Sequence, residues 1–164
     1  MAENNNTLLI VDDDKDLLEV TSEFFEYSQE IHDIKTLSNF SQAVNTIQTL
    51  LNTKINLVVM LDLNDEPKQD VVSKMPGIII LQELKELQLI NNNNLKIFVH
   101  SGDIETYCNT VKDIDENQRT PIEKAIFEIH ENIGLIPKDH RPNFKKEMIL
   151  NSFSLLSGEN LTGH

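Results

Sequence analysis

Three short apolar runs, each stopping at residues able to do chemistry, constrain this chain more than any other feature. Leu8-Leu9-Ile10-Val11 stops at Asp12-Asp13-Asp14, Leu57-Val58-Val59-Met60-Leu61 stops at Asp62, and Leu95-Lys96-Ile97-Phe98-Val99 stops at His100-Ser101-Gly102. A short run with little polar alternation reads as a strand covered on both faces. Such strands belong to parallel sheets flanked by helices.

The stretches between the runs read as helices. Leu17, Leu18, Phe24, Phe25 and Ile31 recur near helical spacing, and Asp14 or Asp16 can cap their start. Asn39 to Leu51 turns Phe40, Ala43, Val44 and Ile47 to one side, and Ile78 to Leu89 does the same with Leu81, Leu84 and Leu87. A weaker strand falls at His32 to Thr36. Thr120-Pro121-Ile122-Glu123 combines a capping hydroxyl, a first-turn proline and a glutamate three residues past the cap, so a helix starts there and runs to about Asn132. Leu135-Ile136-Pro137 reads as a short edge strand. A last helix is expected near Asn143 to Leu155, with Phe144, Met148, Ile149 and Phe153 inward and a loose tail over residues 158–164. Strand and helix thus alternate five times, which predicts an α/β fold with a parallel sheet and helices on both faces.

Bulk properties narrow the function. At 164 residues the chain suits one domain with one core. Its formal net charge of −13 disfavours nucleic acid and anionic lipid and favours a metal cation or a basic partner. The single cysteine, Cys108, allows neither an internal disulfide nor a cysteine-based zinc site. With no signal-peptide pattern at Met1 to Asn6 and no apolar run of membrane-spanning length, the expected location is the cytoplasm.

In a parallel sheet the strand ends lie along one edge, where ligands bind. That edge would gather Asp12, Asp13, Asp14, Asp62, Ser101 and Lys138. Grouped carboxylates repel unless a cation neutralises them, and Mg2+ is the natural hard ion for one or two carboxylates plus water. A carboxylate can also act as a nucleophile toward phosphorus, with a lysine and a hydroxyl stabilising the transferring group. Taken singly, Asp12 to Asp14 could be a solvated turn and cap, Ser101-Gly102 an ordinary turn and Lys138 a surface charge. The case rests on their common address. His100 reads as a strand-end residue and His130 as helix surface, since the histidines lack ligand spacing.

The sequence resembles response-regulator receiver domains of two-component signalling, in particular stand-alone chemotaxis-regulator-like members. The resemblance is carried by Leu8 to Asp14, Leu57 to Asn64, Ile97 to Gly102 and Gly134-Leu135-Ile136-Pro137-Lys138-Asp139, in that order over almost the whole chain. It implies a flavodoxin-like, doubly wound five-stranded fold. It implies that Asp62 is the phosphoacceptor, that Asp12, Asp13, Asp62 and the Asn64 backbone carbonyl hold Mg2+, that Ser101 is the switch hydroxyl and that Lys138 is the site lysine. It further implies a histidine kinase or phosphotransfer protein as partner, or a small donor such as acetyl phosphate. A protein target would lie downstream, met by a monomer or weak homodimer.

Three features depart from the family pattern. Met75-Pro76-Gly77 arrives only after the polar stretch Asp65 to Lys74, so residues 65–75 look inserted. The interval from Ser101 to Lys138 is long, with extra sequence at about 104–118. The usual aromatic switch position is Leu135. Residues 1–157 are expected to form one receiver domain without an output domain, signalling by protein contact and not acting as an enzyme on other substrates. Two other readings stay open. One is a pseudo-receiver scaffold that is not phosphorylated. The other is a haloacid-dehalogenase-like phosphatase with Asp12 as nucleophile and Asp14 as acid.

Overall fold

The computed structural model describes residues 5–63, 74–100, 112–120, 123–124, 134–135 and 142–162. Its centre is a five-stranded sheet in the order β2-β1-β3-β4-β5. The strands are β1 (Asn6–Val11), β2 (Asp33–Leu37), β3 (Asn56–Leu61), β4 (Leu95–Val99) and β5 (Gly134–Leu135). Every pairing is parallel. The described helices are α1 (Lys15–Phe25), α2 (Ala43–Leu51), α3 (Pro76–Glu86) and α4 (Pro142–Thr162). This is the flavodoxin-like arrangement that the alternation of strands and helices predicts.

The unbroken apolar runs have a direct physical use. Successive strand residues point to opposite faces, and here the two faces feed two separate cores. Leu9, Val11, Leu57, Val59, Leu61, Ile97 and Val99 pack with Ala43 and Ile47 of α2 and with Ile78, Leu81 and Leu84 of α3. Leu8, Ile10, Val58, Met60 and Phe98 pack with Leu18 and Phe25 of α1 and with Ile149, Phe153 and Leu156 of α4. An exposed face anywhere on β1 or β3 would have put polar residues into these runs.

The helix ends show how local chemistry sets boundaries. Asp14 is the cap of α1, its side chain accepting from the amides of Asp16 and Leu17 at 3.1 and 3.2 Å. The helix stops at Phe25, so Ile31 lies beyond it and packs from the following turn against the α1–α4 core. The expected helix from Asn39 divides in two: Asn39 caps a 3-10 turn over Phe40–Gln42, and α2 proper begins at Ala43. Thr120 and Glu123 form the expected reciprocal box. The Glu123 carboxylate accepts from the Thr120 amide at 2.9 Å, and the Thr120 hydroxyl accepts from the Glu123 amide at 3.2 Å.

Two further expectations need correction. Helix α3 begins at Pro76, ahead of Ile78, and ends at Glu86, so Leu87 does not face the core but is 48% exposed. Helix α4 carries on past Leu155 to Thr162, through residues expected to be a loose tail.

Candidate functional site

Asp12 is the residue after β1 and Asp62 the residue after β3. The two strands end in register, Val11 opposite Leu61, so both acids leave the sheet side by side. The backbone fixes that relation. The Asp62 amide donates to the Val11 carbonyl at 3.0 Å, and the Asp12 amide donates to the Leu37 carbonyl at 3.1 Å.

The carboxylates converge as a result. Asp12, Asp13 and Asp62 each offer an oxygen, all lying within 4.8 Å of one another. Asp12 is 2% exposed and Asp62 5%, with Asp13 half-buried. The Asp14 amide donates to Asp12 Oδ1 at 3.0 Å, and the Leu63 amide donates to Asp62 Oδ1 at 2.8 Å. These bonds set the rotation of each side chain. Asp14 itself is exposed and spends its carboxylate on the cap of α1.

Carboxylates at this separation repel by about 3 kcal/mol per pair at an effective dielectric near 20. Burial of two of them raises that penalty. An oxygen-lined acidic group of this kind fits a hard divalent cation that keeps part of its water shell, and Mg2+ matches that description.

Of the other residues expected here, Asn64, Ser101 and Lys138 lie outside the described residues. Described residues that precede them in sequence reach the sheet edge that holds Asp62. Leu63 follows Asp62 directly. The His100 amide donates to the Leu61 carbonyl at 2.8 Å, which anchors the end of β4 next to Asp62. Gly134 and Leu135 of β5 pair with Phe98 and Val99 at the same end of the sheet. His100 is buried at 5% exposure, which its place in the sequence did not suggest.

Sequence reasoning also missed what closes the site from the α3 side. The Gly77 amide donates to the Leu63 carbonyl at 2.9 Å, and Met75 is buried beside it. Leu63 and Gly77, on either side of the polar stretch, are therefore direct neighbours, while residues 65–73 of that stretch lie outside the described residues. The late arrival of Met75-Pro76-Gly77 was visible in the sequence, but its return to Asp62 was not.

The sequence matches no protein-family model and no curated protein. Solved structures do match. A response regulator receiver domain protein, CheY-like, from Methanospirillum hungatei superposes with a TM-score of 0.60 at 14% identity, over 93% of this chain and 98% of that one. The N-terminal signal receiver domain of a two-component response regulator from Bacteroides fragilis gives 0.58 at 21% identity, over 92% and 98%. The isolated receiver domain of RcsB from Salmonella enterica serovar Typhimurium, solved in the presence of phosphomimetic BeF3−, gives 0.52 at 18% identity, over 85% and 81%. Over nearly its whole length, then, this chain has the fold of response-regulator receiver domains.

Proposed function

We propose that this chain is a receiver-type phosphoacceptor that takes a phosphoryl group on Asp62 and signals through protein contact. The observation that carries this reading is the convergence of Asp12, Asp13 and Asp62 at the carboxyl edge of a receiver-fold sheet. Asp12, Asp13, Asp62 and the Asn64 carbonyl would hold Mg2+. Once bound, the ion supplies positive charge to offset both the carboxylates and the phosphoryl oxygens.

The chemistry assigned to the chain is an in-line displacement. An Asp62 carboxylate oxygen attacks the donor phosphorus, and the new O–P bond forms as the bond to the leaving group breaks. The leaving group departs with that electron pair, as acetate from acetyl phosphate or as neutral imidazole from a phosphohistidine donor whose second ring nitrogen carries a proton. The Leu63 amide, bound to Asp62 Oδ1, holds the carboxylate in one orientation during attack. Lys138 and Ser101 are assigned the negative charge and one oxygen of the acquired group. The phosphoryl source would be a histidine kinase or phosphotransfer protein. Residues 1–157 would act as a single domain.

Intact-mass measurement after incubation with Mg2+ and acetyl phosphate tests the reading. Wild type should gain one phosphoryl adduct, Asp62→Asn none, and Asp12→Asn far less than wild type. A wild type that stays unmodified and does not respond to beryllofluoride would sink the proposal in favour of an interaction scaffold. Turnover of phosphomonoesters surviving Asp62→Asn would point to the Asp12-based phosphatase.

A further inference from the structure

We propose that Gly77 is a positioning residue for Asp62, with its missing side chain holding the acceptor carboxylate in place. A Cβ built on Gly77 would lie 2.5 Å from the Asp62 carbonyl oxygen and 2.6 Å from Leu63 Cα. Both are backbone atoms of the Asp62–Leu63 peptide unit, so they cannot rotate aside as a flexible side chain would. The need is for space and not for an unusual backbone shape, because no described glycine has positive φ.

The contact reaches the carboxylate in two bonds. The Gly77 amide donates to the Leu63 carbonyl at 2.9 Å, which fixes the Leu63 backbone against the first turn of α3. The Leu63 amide in turn donates to Asp62 Oδ1 at 2.8 Å. A residue fifteen positions downstream in sequence therefore sets the geometry of the acidic cluster. Pro76 at the start of α3 and the buried Met75 present Gly77 to this seat. Any side chain at 77 must push the Asp62–Leu63 peptide away, taking Oδ1 with it and disturbing its approach to Asp12 and Asp13.

The Mg2+ and adduct readouts rest on the phosphoacceptor reading, and an amide resonance does not. Gly77→Ala should weaken Mg2+ binding, measured by calorimetry on the folded protein, and slow adduct formation from acetyl phosphate, each by about tenfold or more. Leu84→Ala is the control. It loosens α3 from its far end, lowers the melting temperature, and should leave Mg2+ affinity and adduct rate near wild type. Wild-type values in folded Gly77→Ala overturn the proposal, as does an equal loss in Leu84→Ala. Should Gly77→Ala fail to fold, Pro76→Ala loosens the same seat without a clash. It should show the same losses in milder form, and unchanged values there are equally fatal. If wild type itself neither binds Mg2+ nor takes a phosphoryl group, the phosphoacceptor reading fails. The positioning claim is then decided by the Leu63 amide resonance alone, which should shift and lose exchange protection in Gly77→Ala. An unmoved resonance refutes it.

Discussion

Asn56 donates from its side-chain amide to Oδ1 of Asn6 at 3.1 Å, joining β3 to β1 at the end of the sheet remote from Asp12 and Asp62. Both residues are buried. Asn6 also donates from Nδ2 to the Glu30 carbonyl at 2.7 Å and from its backbone amide to His32 Nδ1 at 2.9 Å. One asparagine thus ties the entry of β2 to the middle of the sheet. Asn56→Val should destabilise the fold by about 1–3 kcal/mol, because it strips a donor from a buried acceptor. Urea denaturation measures this, and a loss below about 0.5 kcal/mol would show the bond to be dispensable.

Helix α3 makes a sharper comparison. Leu84 is fully buried while Leu87, one turn on, is half-exposed. Leu84→Ala should cost about 2–5 kcal/mol and Leu87→Ala about 0.5 kcal/mol or less. Equal losses in thermal or chemical unfolding would contradict the helix end at Glu86.

Lys96 supplies a pH prediction. Its ammonium lies 5.5 Å from the centre of the Phe98 ring, and partial burial holds its pKa below the ordinary 10.5. The unfolded chain therefore binds this proton more tightly than the folded one, so the group's contribution to stability grows as pH rises through the lowered value and levels off above 10.5. Compared with Lys96→Met, wild type should gain relative stability on moving from neutral pH toward 10.5. A difference that stays flat with pH would show that burial does not perturb this lysine.

The acidic cluster predicts a metal linkage. At a Mg2+ concentration about 100-fold above its Kd, wild type should gain about 2.7 kcal/mol of stability. Asp12→Asn keeps the acceptor for the Asp14 amide but removes one of the three charges, so its gain at the same concentration should be much smaller. Equal gains in melting experiments would place Mg2+ binding elsewhere on the chain.

The sheet and the acids were legible because they depend on local pattern. A strand buried on both faces must be apolar throughout, and an acid placed directly after it has nowhere to go but the sheet edge. Helix ends were less legible where no glycine or proline marks them. Gln88 closes α3 with φ of 60°, a left-handed position that usually goes to glycine or asparagine, so the leucine periodicity ran on past the true stop to Leu87. The stretch from Asn39 to Leu51 reads as a single helix, yet Asn39 caps a separate 3-10 turn, and hydrophobic spacing does not separate the two. The seat of Gly77 on Asp62 is tertiary, made across a polar stretch whose residues carry no sign of it.

The in-register ending of β1 and β3 has a consequence for how such a sequence can vary. Val11 and Leu61 are the last paired residues, and each acid is the next step along its strand. Each strand therefore works as a ruler. Its hydrophobic marks can be exchanged for others of similar size, but their number cannot change. Adding or removing one residue within either run would swap the two cores through the sheet and carry Asp12 or Asp62 away from its counterpart, with the composition hardly altered. For this chain, the length of an apolar word is as much a part of the site as the acid that ends it.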